Sequence, residues 1–351
     1  MSVINGVLFH AAGASSASLC YTPQKETQAW SWQTYWLAQA AVCWLLLPVI
    51  GAWITIPHLR EVLSEAPKSA MYKSFILGAA YGIGGTAFGL AIRYVGFSLT
   101  YAISVGISSV LGTLLPPLVH GQLGDVLGKT GSGWLMSGVA IGALGIAICG
   151  WAGRLKEKDL ERNKNLPSSF SLTRGLPLCL LAGVLSAVYG FALDQGQPIA
   201  DVAVKYGAGN FQGNVIYIFA NTGAFLSTAI YCLYLHIRQK TFGEYKNLLG
   251  NKKASALSLN YTLAFITGLL WYSQFFFYGL GHTRMGAYKF SSWAIHMIML
   301  VLFSSLVGLA LKEWMGIAGR TKWLLALAVV ILISAILMIT YGNYLGTEAA
   351  G

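Results

Sequence analysis

Long apolar runs alternate with short polar segments along the whole chain. Ten of these runs contain about 20 residues or more, which is the length that a helix needs to cross a hydrocarbon core about 30 Å thick. They lie near residues 3–22, 33–56, 72–93, 96–119, 132–153, 174–195, 211–236, 259–281, 288–311 and 322–345. The pattern therefore predicts ten transmembrane helices. A very short turn at Arg93 to Gly96 separates the third from the fourth, and Pro116 and Pro117 are expected to end or kink the fourth.

The composition excludes most alternatives to a membrane protein. Apolar residues make up 56% of the 351 residues and charged residues only 10%, and the mean hydropathy is +0.61. A typical soluble domain carries about 25% charged residues, so this chain has too few to cover a soluble globule. A disordered chain and a secreted disulfide scaffold are disfavoured for the same reason. The fold class is an all-α polytopic membrane protein.

The formal net charge of +11 is explained by the loops. Most lysine and arginine residues follow the odd-numbered helices, and the cytoplasmic side of a membrane protein carries such an excess. This positive-inside rule therefore predicts that both termini lie outside. Because the loops account for the positive charge, no nucleic-acid partner is needed to explain it. The longest charged segment, residues 154–173, is expected to be a solvated cytoplasmic linker between two sets of five helices.

The two sets of helices contain similar residues in the same order. The third helix has Gly78, Tyr81, Phe88, Gly89, Leu90 and Gly96, and the eighth has Gly268, Trp271, Tyr278, Gly279, Leu280 and Gly286, each 190 residues later. The first and sixth helices share a weaker match at an offset of 170 residues: Ala12, Gly13, Ser16 and Ala17 against Ala182, Gly183, Ser186 and Ala187. Chance similarity is the alternative, because glycine and alanine are abundant here. We expect a first repeat over residues 1–153 and a second over 174–351.

A repeat of five helices crosses the membrane an odd number of times, so two copies in one chain must have opposite orientations. Inverted repeats are typical of secondary transporters, whose substrate site lies near the midplane where the repeats meet. Alternating access, in which one repeat rocks against the other, is the mechanism that this arrangement predicts.

The eighth helix is the best candidate for a substrate-binding wall. Trp271, Gln274, Phe275, Tyr278 and His282 follow the spacing i, i+3, i+4, i+7 and i+11 and therefore share one face. A sugar needs aromatic surface for its C–H groups and amide or hydroxyl groups for its oxygens, and this face offers both. The alternative is a packing face, with Gln274 bonded to a neighbouring helix. Further candidates for substrate contact are Tyr81, Tyr189, Asn221 and Trp293.

Proton coupling requires a group that titrates inside the membrane, and ionisable residues there are functional candidates by default. Asp194 is the one carboxylate placed clearly within a predicted helix. Asp201 lies just beyond the end of that helix. His10 and His296 lie inside the first and ninth helices, and histidine titrates near neutral pH. Each of these has a structural alternative as a hydrogen-bonded packing residue.

Several segments together resemble the L-rhamnose–proton symporter family of the drug/metabolite transporter superfamily. The most specific is the run from Trp271 to Tyr278, followed by Gly281 and His282. The other matching pieces are Gly6 to His10 with Gly13 and Ala14, Trp30 to Trp32, Gly82 to Gly84, Arg93 and Tyr94 with Gly96, Gly112 to Leu114, Trp293, His296 and Leu311 to Trp314. The resemblance spans nearly the whole chain, and it favours His10 and His296 over Asp194 for proton coupling.

The resemblance implies a ten-helix importer in a bacterial-type inner membrane, which carries L-rhamnose or a close deoxysugar together with protons. The proton would be the coupling ion, and no other cofactor is implied. Gly85, Asp194 and Lys289 depart from the family pattern, so the exact sugar stays open. The alternatives are an uncoupled facilitator or a carrier of another metabolite. More distant alternatives are a sugar receptor that transports nothing and an intramembrane enzyme.

Signals for an enzyme or a metal site are missing from the sequence. The chain has no H-E-x-x-H, G-x-S-x-G or P-loop motif, so a hydrolase or nucleotide-dependent enzyme is not indicated. The five cysteines, Cys20, Cys43, Cys149, Cys179 and Cys232, lie in apolar stretches without C-x-x-C spacing. We expect them to be buried apolar side chains.

Overall fold

A computed structural model describes residues 3–95, 97–164, 171–246 and 255–349, and these ranges consist of helices joined by turns and short irregular segments, with no strand. The α-helices are α1 (Val3–Leu19), α2 (Trp32–Ala40), α3 (Leu47–Thr55), α4 (Leu59–Glu65), α5 (Lys68–Val95), α6 (Phe97–Val119), α7 (Leu123–Gly128), α8 (Ser132–Lys164), α9 (Leu172–Gln195), α10 (Gln197–Lys205), α11 (Asn214–Gln239), α12 (Ser255–His282), α13 (Ser292–Ala310) and α14 (Gly319–Glu348). A π-helical segment, Ala41–Leu46, joins α2 to α3. Short 3₁₀ segments lie at Pro23–Glu26, Gly209–Phe211, Phe242–Lys246 and Gly286–Ser291.

The prediction of ten membrane-spanning helices is confirmed over the described residues. The spans are Val3–Glu26, Trp32–Thr55, Lys68–Ile92, Leu99–Val119, Ser132–Leu160, Thr173–Lys205, Gly209–Gln239, Ala256–His282, Tyr288–Ala310 and Gly319–Glu348. They are called spans 1 to 10 below. Pro116 and Pro117 lie inside α6, which ends two residues later at Val119. Gly96, part of the predicted turn before α6, lies outside the described residues.

The predicted charged linker begins as a helix. Helix α8 continues beyond the fifth span to Lys164, because this stretch is rich in lysine, glutamate, arginine and leucine, all of which favour helix. Arg154 and Glu157 form an ion pair at 3.5 Å one turn apart. Residues 165–170 of the linker lie outside the described residues, and α9 then begins at Leu172.

The chain divides into two compact units. Unit 1 comprises Met1–Ser18, Gly84–Phe191 and Leu280–Gly351. Within it, α8 packs against α6 and α14, and α13 packs against α6, α8 and α14. Small residues bring α8 and α14 close together: a Cβ on Gly138 would lie 2.7 Å from Ile339 Cγ1. Such small-residue contacts are the usual way for helices to associate in a membrane, where apolar burial gives little driving force.

Unit 2 comprises Leu19–Ile83 and Ala192–Gly279. Helix α11 packs against α2, the π-helical segment, α3 and α10. It also contacts α5, since a Cβ on Gly78 would lie 2.0 Å from the carbonyl oxygen of Ala220 and one on Gly82 would lie 2.1 Å from Ser227 Oγ. These two glycines therefore serve close helix packing. The short helices α4 and α10 pack on each other and contribute to a separate apolar core with α3 and α11.

The start of α2 is held by a carboxylate from a distant part of unit 2. Glu244 Oε2 accepts hydrogen bonds from the backbone N–H of Ser31 at 2.8 Å, from Ser31 Oγ at 2.9 Å and from Thr34 Oγ1 at 2.5 Å. Ser31 is the N-cap of α2 and forms no side-chain cap of its own. The first N–H groups of a helix lack partners within the helix, and a negative charge there also suits the helix dipole.

Replacing Glu244 by alanine is therefore expected to lower the free energy of unfolding by about 1–2 kcal/mol, because α2 loses its cap and two hydroxyl groups lose an acceptor. The thermal midpoint of the purified protein in detergent would report this loss. Glu61→Ala is the matched control: Glu61 pairs with the exposed His58 at 4.0 Å, and an exposed pair contributes little. Equal midpoints for the two variants would contradict the capping role.

Candidate substrate and proton sites

The predicted binding face of α12 is buried along most of its length. Trp271, Gln274, Phe275 and Tyr278 each expose less than a tenth of their surface. All four lie in unit 2, whereas His282, at the end of the same helix, belongs to unit 1. The face therefore combines a buried amide, a phenol and two aromatic rings.

Trp271 is at the centre of a group of aromatic rings in unit 2. The ring centroids of Tyr21, Trp36 and Trp44 lie 5.4, 5.7 and 5.4 Å from that of Trp271, and all three contacts are edge-to-face. Tyr81 joins the group through Trp44 at 5.9 Å. Edge-to-face contacts at these distances are favourable for aromatic pairs. These five residues are called the tryptophan cluster below.

The π-helical segment is what aligns two members of the tryptophan cluster. Trp36 lies in α2 and Trp44 lies in the Ala41–Leu46 segment. In a regular α-helix, residues eight positions apart point in directions that differ by about 80°. Trp44 lies within the π-helical segment, whose larger number of residues per turn reduces this difference. Both indole rings can then meet Trp271 from the same helix face.

Close packing of α12 against α2 completes the arrangement. A Cβ on Gly268 would lie 2.6 Å from Val42 Cβ and 3.0 Å from the carbonyl oxygen of Gln39. Tyr35 OH is hydrogen-bonded to Thr267 Oγ1 at 2.6 Å and donates to the carbonyl oxygen of Leu263 at 3.2 Å. Since Gly268 precedes Trp271 by one turn, its missing side chain lets Trp271 reach the rings of α2.

Helix α11 brings two further polar groups to unit 2. Tyr217 OH donates to the carbonyl oxygen of Phe275 at 2.7 Å, which fixes α11 against the predicted binding face. Asn221, one turn later, is fully buried. Of the candidates for substrate contact, unit 2 thus holds Trp271, Gln274, Phe275, Tyr278, Asn221 and Tyr81.

Unit 1 contains a buried pair of histidines. His10 of α1 and His296 of α13 expose 0% and 2% of their surfaces, and their ring centroids are 5.8 Å apart. Gly281 lies against His10, because a Cβ there would come within 2.9 Å of the imidazole. His282 Nδ1 is hydrogen-bonded to Ser292 Oγ at 3.2 Å. His10 and His296, which the sequence predicted separately, therefore lie together.

Trp293 and Tyr189 also lie in unit 1. The Trp293 indole donates to the carbonyl oxygen of Ser108 at 2.9 Å, and its ring centroid is 6.2 Å from that of Tyr189. A Cβ on Gly112 would lie 2.4 Å from Trp293 Nε1, so α6 passes close to this ring. Tyr189 is fully buried. These contacts place Trp293 between α6, α9 and α13.

The two aspartates predicted for proton coupling have different surroundings within unit 2. Asp194 is half-buried near the end of α9 and accepts a hydrogen bond from Gln195 Nε2 at 3.3 Å. Asp201 is exposed on α10 and accepts one from Gln197 Nε2 at 2.9 Å. Asp194 is therefore closer to a membrane-buried carboxylate than Asp201 is.

Metal ligation is not indicated by the described part of the chain. No group of three or more histidine, cysteine, aspartate or glutamate side chains there could hold a metal ion. The five cysteines are free and buried, as their apolar sequence context predicts.

Comparison with known proteins decides the family. The model of the L-rhamnose-proton symport protein family (RhaT) matches residues 1–344. The chain belongs to this family. The L-rhamnose-proton symporter of Cronobacter sakazakii is 34% identical over 336 residues, which cover 95% of this chain and 96% of the relative. Those of Yersinia pestis and Yersinia pseudotuberculosis are each 33% identical over 319 residues, which cover 89% of this chain and 90% of each relative.

Membership of the L-rhamnose–proton symport family confirms the resemblance that the sequence motifs indicated. The chain is a multi-pass membrane transporter and not an enzyme. Within this family member, sequence reasoning singled out Trp271 and Tyr81 but missed Trp36, Gln39 and Trp44. The available signal was weak: these are polar or amphipathic side chains within an apolar span. Trp36 and Trp44 are eight residues apart, which is about 80° around a regular α-helix, and this spacing does not show that both rings contact Trp271.

Proposed function

We propose that this protein imports L-rhamnose, or a close deoxysugar, together with protons across a bacterial inner membrane. The observation that carries the proposal is the family match over residues 1–344, supported by relatives named L-rhamnose-proton symporters that align over about nine-tenths of the chain. The buried face of α12 supplies the chemistry that a neutral sugar requires. Its partners are then the sugar, the proton and the lipid bilayer.

The composition of the two units supports an inverted repeat. If residues 1–153 and 174–351 are equivalent, spans 1 to 5 correspond to spans 6 to 10. Unit 1 holds spans 4, 5, 9 and 10 and most of spans 1 and 6, and unit 2 holds spans 2 and 7 and most of spans 3 and 8. Both members of every expected pair thus lie wholly or mostly in the same unit. A transporter built from two such repeats can expose its site to each side of the membrane in turn.

Sugar binding is assigned to the buried face of α12. Gln274 offers an amide that can both donate and accept hydrogen bonds, Tyr278 offers a phenol, and Trp271 and Phe275 offer flat apolar surface. Asn221 and Tyr81 are further contacts in the same unit. His282, Tyr189 and Trp293 remain candidates in unit 1.

Proton coupling is assigned to His10 and His296. Imidazole takes up and releases protons near neutral pH, and two neighbouring imidazoles titrate as a pair rather than singly. Asp194 is the second candidate, and Asp201 the third because it is exposed.

The orientation with both termini outside rests on the distribution of lysine and arginine. In this orientation the charged end of α8, including Arg154 and Lys156, faces the cytoplasm. The positive-inside rule favours it.

The decisive experiment follows external pH in a suspension of de-energised vesicles that contain the protein. Addition of L-rhamnose is expected to make the medium more alkaline, because each sugar that enters carries protons with it. Alkalinisation only with a different sugar would support proton symport and assign that sugar as the substrate. Uptake of labelled L-rhamnose without a pH change would show an uncoupled carrier and contradict the proposal. Binding without uptake would show a receptor.

A further inference from the structure

Three hydrogen-bond donors of α2 and the π-helical segment are buried without a partner. They are the indole N–H groups of Trp36 and Trp44 and the side-chain amide nitrogen of Gln39, and none has an acceptor among the described residues. Trp36 exposes 3% of its surface, and Gln39 and Trp44 expose none. A buried donor without an acceptor costs about 1–3 kcal/mol, so three in one place need an explanation.

All three groups belong to one surface. Gln39 follows Trp36 by one turn of α2, and the rings of Trp36 and Trp44 both contact that of Trp271. The Gln39 side-chain oxygen accepts from the Cys43 thiol at 3.7 Å, which leaves the amide N–H₂ as the unpartnered end. Close approach of Gly268 to the Gln39 carbonyl holds α12, and with it Trp271, against this surface. The donors and the central ring of the tryptophan cluster are therefore fixed on two helices in contact.

The chemistry of this surface limits what it can bind. Every unpartnered group is a donor, so the complementary ligand must present several acceptor oxygens. None of the residues involved carries a formal charge, so an ionised ligand would be buried without compensation. The indole rings add apolar area of the kind that packs against C–H groups. A neutral polyhydroxylated ring, which presents hydroxyl oxygens at its edge and C–H groups on its faces, meets all three conditions.

We propose that Trp36, Gln39 and Trp44 are sugar-binding residues that donate hydrogen bonds to substrate hydroxyl oxygens beside the Trp271 ring. The inference rests on the proposed function, and it adds three residues of α2 and the π-helical segment to the predicted face of α12. It also gives the π turn a role, since π-helical winding brings the directions of Trp36 and Trp44 closer together than the difference of about 80° in a regular helix. π turns of this kind are frequent at functional sites.

The test uses the full chain in nanodiscs and measures L-rhamnose binding by calorimetry. Trp36→Phe and Trp44→Phe keep an aromatic ring but remove the N–H, and Gln39→Met keeps the length of the side chain but removes the amide. Each variant is expected to bind L-rhamnose about five- to tenfold more weakly than the wild type. Trp53→Phe is the matched control, because Trp53 lies on α3 with 63% of its surface exposed, and its affinity should not change.

The thermal midpoint without sugar separates binding from packing. A variant that loses only an unpartnered donor should unfold no earlier than the wild type, while the increase in midpoint that L-rhamnose causes should shrink. Unchanged affinity in all three variants would overturn the inference. So would a lower midpoint combined with unchanged affinity, which would make these residues structural.

A measurement on the wild type covers the case in which the variants do not fold. With ¹⁵N-labelled tryptophan, the 11 indole N–H groups give separate NMR signals. Titration with L-rhamnose should move at least two of them in the direction of a new hydrogen bond, and no movement would overturn the inference.

Different results contradict the proposed function and the further inference. A wild type that binds L-rhamnose but moves no protons contradicts the proposed function and leaves the binding residues assigned. A wild type that binds and moves protons, with all three variants equal to it, contradicts only the further inference. If the wild type binds a different sugar from a panel, the same variants are compared with that sugar.

Discussion

Gln274→Ala is expected to weaken L-rhamnose binding at least about 30-fold and to abolish L-rhamnose-dependent alkalinisation, with the protein still folded. The reason is the position of its amide on the buried face of α12, one turn from Trp271 and Tyr278, where it exposes only 8% of its surface. A sugar hydroxyl without its amide partner is still removed from water on binding but gains no hydrogen bond in return. The free energy of binding is then weaker by about 2 kcal/mol. Calorimetry gives the affinity, and the vesicle pH measurement gives transport.

The control for this prediction is the adjacent residue on the same helix. Ser273 is directed away from the buried face, and its hydroxyl donates to the carbonyl oxygen of Leu269 within α12 at 2.8 Å. Ser273→Ala should bind and transport like the wild type. A folded Gln274→Ala protein with full affinity would exclude Gln274 from the site and leave it as a packing residue of α12.

His10→Gln and His296→Gln are each expected to reduce proton uptake per sugar at least about tenfold while sugar exchange continues. Glutamine keeps hydrogen-bonding capacity but cannot take up a proton near neutral pH, so the sugar can still bind although the coupling ion cannot. The two rings lie 5.8 Å apart, so removal of either is expected to disable the pair. The measurements are L-rhamnose-dependent alkalinisation and exchange of labelled L-rhamnose between equal concentrations inside and outside.

A histidine elsewhere in unit 1 provides the comparison. His120 follows α6 and is exposed, and His120→Gln should couple like the wild type. Normal alkalinisation in both His10→Gln and His296→Gln would exclude the pair. The same assay on Asp194→Asn would then decide whether the half-buried carboxylate carries the proton, since a loss there with normal exchange assigns the coupling to Asp194.

Some features of this protein follow from the sequence because they depend on local properties. Whether a segment can span a membrane is set by its length and apolarity, and all ten spans were predicted on that basis. The common face of Trp271, Gln274, Phe275 and Tyr278 follows from helical spacing alone. The family follows from motifs distributed along the chain. The residues of these motifs occur in a recognisable order along the sequence, whether or not they lie close together in space.

Other features were decided only by the tertiary structure. His10 and His296 come from opposite ends of the chain, and no periodicity could predict that their rings meet. The start of α2 depends on Glu244, which lies more than 200 residues later, so the local sequence gives no sign of its cap.

The tryptophan cluster shows the physical reason for this limit. Under regular helical spacing Trp36 and Trp44 differ in direction by about 80°, and nothing in that spacing shows that both rings contact Trp271. The π turn at Ala41–Leu46 changes the phase of the helix by about one residue, and the gap at Gly268 lets α12 approach. A π turn disturbs the regular backbone hydrogen bonds of the helix, and only packing against other helices can offset that cost. The sequence therefore determined the helices and the types of residue available for a sugar site, and the packing of distant helices decided which of those residues lie together.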